Sequence, residues 1–210
     1  VEQASGQRPL RADAERTVQA ILEAAERVLS ADPAATMEQI ARAAGVARTT
    51  VHRRFTSRDA LVDALAEWAA RQFHDAVASA HPDSAPPLVA LYQVTANVLR
   101  VKLGWGFAMG RSGPGNPEVD RVHAEVIEQC GGLFRRAQEH GVLRPDVDPE
   151  WARRVYYALI HEATRERSHS KAPERVDELA TRVVDTLLQG VGQEGPPLTR
   201  DSGPKGTPRS

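Results

Sequence analysis

A glycine at position 45 separates two stretches that each read as a short helix, and the unit they form, TMEQIARAAGVARTTVHRRF from Thr36 to Phe55, constrains the rest of the chain. Pro33 keeps any preceding helix from running into it. Thr36 and Gln39, three positions apart, make a capping box in which each side chain satisfies a free amide of the first turn. Ile40, Ala43 and Ala44 give the first short helix an inward face, and Gly45 supplies the positive φ that ends it. Val46 then packs inward. The second short helix, Ala47 to Arg54, carries Val51 and Phe55 one turn apart on its buried side. Arg48, Thr49, Thr50, His52, Arg53 and Arg54 are left facing outward.

Two helices joined by a short glycine turn, the second showing Arg, Thr and His to solvent, form the pattern of a helix-turn-helix whose second helix reads the DNA major groove. Charge supports this reading locally. Gln39 to Arg58 holds Arg42, Arg48, Arg53, Arg54 and Arg58 and no acidic residue, which leaves 22 of the 27 basic side chains against all 28 acidic ones elsewhere. The formal charge of -1 therefore hides a basic face on an acidic body, the footprint of a phosphate-contacting module. A solvated helical face is the alternative for any charge run, but here the run coincides with a cap and a glycine turn at the required spacing.

A long helix followed by T-x-x-Q-I-A-x-x-A-G-V-x-x-x-T-V-x-x-x-F and then S-R-D-A-L resembles the amino-terminal domain of the TetR family of one-component transcriptional regulators, over about residues 13 to 75. The resemblance implies a double-stranded DNA operator as partner. It makes Thr36, Arg48, Thr49, Thr50, His52, Arg53, Arg54 and Arg58 the candidate DNA contacts. Three departures bear on this: Ala47 stands where the family commonly has Ser, and His52 and Arg54 stand where it commonly has Tyr and His. Ala47 can neither cap a helix nor bond a phosphate, whereas Arg54 still reaches one. Arg58, at the start of a further helix, is expected to clamp a phosphate.

The chain as a whole, 41% hydrophobic, reads as all-α. Residues 1–12 lack periodicity and are expected to be a flexible arm, whose Arg8 and Arg11 fit either a minor-groove contact or a plain terminus. From Asp13 the row Val18, Ile21, Leu22, Ala25, Val28 and Leu29 marks a first helix that props the two short ones, completing a head over 13–56. Ser57 caps a linking helix over 57–80, with Leu61, Leu65 and Trp68 inward. Three prolines in His81 to Pro87 divide it from a larger helical domain, 81–192.

In that domain Leu88, Leu91, Tyr92, Thr95, Val98 and Leu99 line a fifth helix. The glycine-rich stretch 102–115 suggests a broken helix followed by a loop. Asn116 and Pro117 start a helix ended by Gly141, Asp148 and Pro149 start another through Val155, Leu159 and Ala163, and Pro173 starts the last. The Pro/Gly/Ser-rich tail, 193–210, is expected to be disordered.

The family resemblance implies self-association through the last two helices, and Tyr156, Leu159, Ile160, Val183, Val184, Leu187 and Leu188 give them wide apolar faces. It also implies a pocket for an unknown small-molecule effector among the middle helices, where Tyr92, Trp105, Phe107, Met109, His123 and Ile127 fall. For each of these residues a plain core position is the competing account.

An enzyme is the rival class. Asp120-x-x-His123 and Glu166-x-x-His169 carry the carboxylate–imidazole spacing of di-metal helical bundles, but the further glutamates such bundles need are not evident. His161-Glu162 lacks the second His of a zinc protease, and no phosphate loop or serine elbow is present. No cofactor and no metal are expected. The single cysteine, Cys130, rules out an internal disulfide and fits a core thiol in a reducing compartment. Without a signal peptide or an apolar run of spanning length, the expected location is the cytoplasm, away from membrane.

Overall fold

The structure, a computed structural model, describes residues 7–111, 116–165 and 173–189. Among them there are nine helices and no strand: α1 (Gln7–Ala31), α2 (Met37–Ala43), α3 (Arg48–Arg54), α4 (Arg58–Ala78), α5 (Pro87–Gly104), α6 (Gly106–Arg111), α7 (Pro117–Glu139), α8 (Pro149–Arg165) and α9 (Pro173–Gln189). The tail 193–210 lies outside the described residues, as do Glu166 and His169.

Local signals set most of these boundaries. The capping box closes on α2, with Thr36 N–H donating to Gln39 Oε1 at 2.7 Å and Gln39 N–H to Thr36 Oγ1 at 3.3 Å. Gly45 adopts φ +68°, which lets Val46 N–H reach Ala41 O at 3.1 Å and Gly45 N–H reach Arg42 O at 3.2 Å. That bond pair is a Schellman turn, and it satisfies carbonyls that the helix end would otherwise leave open. Gly141, φ +71°, repeats it behind α7, where Val142 N–H bonds Ala137 O at 2.8 Å. Ser57 caps α4 through Ala60 N–H, and Asn116 caps α7 through Glu118 and Val119 N–H.

Helix α4 serves two cores. Its Leu61, Leu65 and Ala69 pack with Ile21, Leu22, Leu29, Ile40, Val51 and Phe55 of the head. Its far end contributes Val77 to the body, where Leu91, Val98, Leu133, Phe134, Tyr156 and Val184 are buried together. Between the two, Ala66 and Ala70 meet Val119 and Val122 of α7. Small residues there let the two backbones approach, so the body holds α4 from Ala66 to Val77.

Several expectations need correction. Helix α1 begins at Gln7 rather than after residue 12, so Arg8 and Arg11 belong to its first turns. Pro9 is compatible with this because the amides of a first turn have no partner inside the helix. Leu88 is 42% exposed, and α5 instead buries Ala90, Leu91, Val94, Thr95, Val98 and Leu99. In α8 the inward row is Ala152, Tyr156 and Ile160, while Val155 sits one position off it. The head core also extends past the expected boundary: Ala108 is part of it, and Trp105, Phe107 and Met109 pack against it.

Candidate nucleic-acid interface and effector cavity

Helix α3 is anchored by Val51, fully buried, and by Phe55 behind it. That anchorage turns Arg48, Thr49, His52, Arg53 and Arg54 to solvent, and leaves Thr50 half-buried. Ala47 precedes the helix without a side-chain cap. The start of α3 thus keeps open amides, a favourable setting for an anion. Arg48 Nε donates to His52 Nε2 at 3.4 Å, and Arg48 Nη1 lies 3.9 Å from Glu38 Oε2, which in turn is shared with Arg42 across 3.8 Å on Oε1. Glu38 falls one residue before the acid-free window of the sequence, and the fold brings it to the edge of the basic face. Exposed pairs at such distances are weak and readily exchanged for a phosphate.

Arg58 does not stand out toward solvent as a phosphate clamp. Its guanidinium folds back to donate to the carbonyls of Pro33 and Ala35, which fastens the α1–α2 turn to the start of α4. Arg27 does the same for the end of α2 by donating to Ala43 O at 3.4 Å. Neither role has a sequence signal, because each links residues 16 or more positions apart.

The body holds a cavity of about 380 Å³ among α4, α5, α7 and α8, with Met109 of α6 also on its wall. Phe73, Val94, Val98, Val126 and Ile160 supply apolar surface. Of the six pocket residues expected from sequence, Met109, His123 and Ile127 line it, Ile127 at an open edge with 49% exposure. Trp105 and Phe107 pack toward the head instead. Tyr92 turns to α9, where its hydroxyl donates to Asp185 at 2.6 Å. Sequence reasoning missed Phe73, Lys102, Tyr157 and His161, and it assigned Tyr156 and Ile160 to an intermolecular surface.

Tyr156 is 1% exposed and belongs to the cavity floor. Thr95 Oγ1 donates to Leu91 O at 2.6 Å, so the 2.9 Å contact between Thr95 and Tyr156 has the tyrosine as donor. Burial raises the Tyr156 phenol well above its ordinary range, and burial likewise raises the neighbouring Tyr157 phenol and Cys130 thiol. All three are neutral at physiological pH. Tyr157 Oη is buried beside Arg153 and Cys130 without a hydrogen bond of ordinary geometry to either. His123 meets Phe73 edge-on at 6.5 Å. A second hollow, about 570 Å³ between the α4–α5 turn and α7, is lined largely by polar side chains such as Asp83, Glu128, Arg135 and Glu139.

Of the residues expected to mediate self-association, Tyr156, Ile160, Val183 and Val184 are core of the single chain. Leu159, Leu187 and Leu188 are half-buried against that core. Amphipathic period shows that a face is apolar without showing what covers it. The outward side of α8 instead carries Trp151, 57% exposed, with Ala158 exposed and Val155 half-buried. The di-metal reading also fails to gain a site: Asp120 is exposed, and among the described residues no three His, Cys, Asp or Glu side chains gather where a metal could bind.

A buried carboxylate also ties head to body. Glu26 of α1 is 5% exposed, and its carboxylate accepts from Phe107 N–H at 2.7 Å and Ala108 N–H at 3.0 Å, at the start of α6. Ser30 Oγ adds a third donor at 3.0 Å. A carboxylate so buried is tolerated because three donors hydrogen-bond it, two of them backbone amides at the start of a helix.

Comparison with known proteins agrees with this architecture. Residues 21–65 match the model described as bacterial regulatory proteins, tetR family. The chain is 34% identical over 184 residues to the HTH-type transcriptional repressor LfrR of Mycolicibacterium smegmatis, covering 84% of this chain and 91% of that protein. It is 26% identical over 135 residues to the HTH-type transcriptional regulator NfxB of Pseudomonas aeruginosa, covering 61% of this chain and 71% of the relative. The crystal structure of LfrR in complex with proflavine superposes with a TM-score of 0.66 at 29% identity, over 85% of this chain and 98% of that one. PfmR from Thermus thermophilus shares the fold, with a TM-score of 0.70 at 22% identity over 82% and 99% of the two chains. These relatives are regulators, and none supports the enzyme reading. An anchored helix-turn-helix on a helical body, together with similarity along most of its length to a repressor, establishes that the chain belongs to the TetR family of DNA-binding transcriptional regulators.

Proposed function

We propose that the chain acts as an effector-released repressor, a homodimer on a pseudo-palindromic operator. The observation that carries this reading is the exposed face of α3, held out by Val51 and Phe55 and edged by Arg42. Arg48 and Thr49, at the start of α3, are the base readers, because that end of a recognition helix enters the groove. Arg48 has the forked donor that fits guanine O6 and N7. His52, Arg53 and Arg54 meet phosphates, and Thr36 adds a hydroxyl at the start of α2. Thr50, half-buried, has a smaller share.

Residues 13–56 with the linking helix 57–80 form the DNA-binding part, and 81–192 the effector and dimer part. The outward row Trp151, Val155 and Ala158 of α8 supplies the apolar dimer surface, a revision of the inward rows. The effector occupies the 380 Å³ cavity. The similarity to LfrR, crystallised with proflavine, supports a small molecule as the occupant.

From the cavity, Met109 of α6 and Phe73 and Val77 of α4 lead toward the head, and Glu26 ties α6 to α1. A ligand that fits one arrangement of these helices better than the other shifts the separation of the two recognition helices. No described helix is long and apolar enough to cross a membrane, and the cytoplasm, where the operator is, is the proposed place of action.

Selection of bound sequences from random duplex DNA tests the reading. It should recover a palindrome with half-sites spaced by about one helical turn, roughly 10 base pairs, or a multiple. Recovery of a single half-site would overturn the dimer, and no enrichment at all would overturn the operator function.

A further inference from the structure

The cavity wall carries basic side chains, Lys102, His123 and His161, and no acidic one. Lys102 is half-buried in the last turn of α5, with Nζ 5.8 Å from the centre of the Phe73 ring, itself a cavity wall. None of the ion pairs among the described residues includes Lys102. Burial lowers its pKa, the mark of an ammonium removed from water without a counter-ion. The open carbonyls at the end of α5 and the face of Phe73 help it stay protonated, but neither neutralises it. The phenols of Tyr156 and Tyr157, also on the wall, are held neutral. A cation entering this space would meet a like charge and no carboxylate. An anion would relieve the one unmatched charge already there.

We propose that the effector is an amphiphilic anion, an aromatic or aliphatic carboxylate whose charged end pairs with Lys102 Nζ while its apolar part lies against Phe73, Val94, Val98 and Val126. This rests on the cavity being the effector site, and it names the class of molecule that site selects. A carboxylate at the ammonium gains a charge-assisted hydrogen bond where solvent competes poorly. The apolar walls provide affinity without discriminating charge.

Three probes of one shape separate the possibilities by calorimetric titration of the full chain: 2-naphthoate, neutral 2-naphthamide and 2-naphthylmethylammonium. Naphthoate should bind on the order of tenfold more tightly than the amide, and the ammonium most weakly of all. Lys102→Met keeps the length of the side chain and removes a charge that has no partner, so the variant should melt no lower than the parent. It should lose the preference for naphthoate over the amide. Val98→Trp, which fills the cavity, should abolish binding of all three. Equal binding of the three probes, or no change on Lys102→Met while Val98→Trp still abolishes binding, would overturn the anionic class and leave the cavity in place. Binding indifferent to Val98→Trp would overturn the cavity as the site, and naphthoate failing to bind at millimolar concentration would overturn the proposal.

Discussion

The outward face of α3 and the cavity both present cations, and they present them in opposite ways. On α3 the arginines stand in water, loosely paired across 3.8 to 3.9 Å where Arg42 and Arg48 meet Glu38. In the body Lys102 is half-buried, with no carboxylate beside it. The first arrangement suits a polyanion that brings many charges, releases counterions and must also let go. The second suits a single small ligand, because one unmatched charge in a confined apolar space distinguishes ligands strongly. On the proposed reading, the same kind of charge therefore gives adjustable affinity at the surface and selectivity inside.

The largest test of this contrast asks whether the two regions are separate at all. Phe134 is buried in the body core against Tyr156, ring centres 5.4 Å apart, and Phe134→Ala should cost about 3–5 kcal/mol of stability. Because α4 contributes to both cores and α6 packs from the body onto the head, the loss should appear as one transition. Far-UV dichroism and the fluorescence of Trp68 and Trp105, which pack on the head, should then shift together. A head that melts independently would break the picture of shared helices.

Next in size is Arg48→Ala, expected to weaken operator binding by about 1–3 kcal/mol per half-site and to relax preference at one base pair. Affinities for single-base operator variants check this, and full retention of base preference would move the reading role elsewhere on α3. The smallest effect separates fastening from contact. Arg58→Ala should lower stability by about 1–2 kcal/mol through its lost bonds to Pro33 and Ala35, while the salt dependence of DNA binding stays unchanged. A slope shallower by about one phosphate per half-site with unaltered melting would return Arg58 to the DNA surface.

What could be read from the sequence follows the range of each interaction. Thr36 with Gln39, Gly45, Ser57, Asn116–Pro117 and Gly141 act within a few residues, so composition and spacing located the helix ends they produce. The outward face of α3 was legible for the same reason, since Val51 and Phe55 fix it within one turn. The destination of an apolar row was not legible. Tyr156 and Val183 have the period of a helix face whether a neighbouring helix or a second chain covers them, and Leu88 matches its helix period yet lies outside the core. Charged residues carried still less information: Arg58 and Glu26 owe their roles to partners that only folding brings near, and Lys102 to the cavity walls that folding sets around it.

Glu26 and Ala108 meet across 82 positions of chain, and that distance bears on how members of such a family can be recombined. The short helix that Glu26 holds is encoded inside the body yet completes the packing of the head. A chimaera joined in the proline-rich turn at 81–87 would give the head a foreign α6, whose side chains need not fit between α1 and α4. Where that fit fails, a buried carboxylate faces the wrong surface. Exchange of DNA-binding specificity between relatives should therefore transplant 104–111 along with the head, or change only the outward residues of α3 and leave every junction intact.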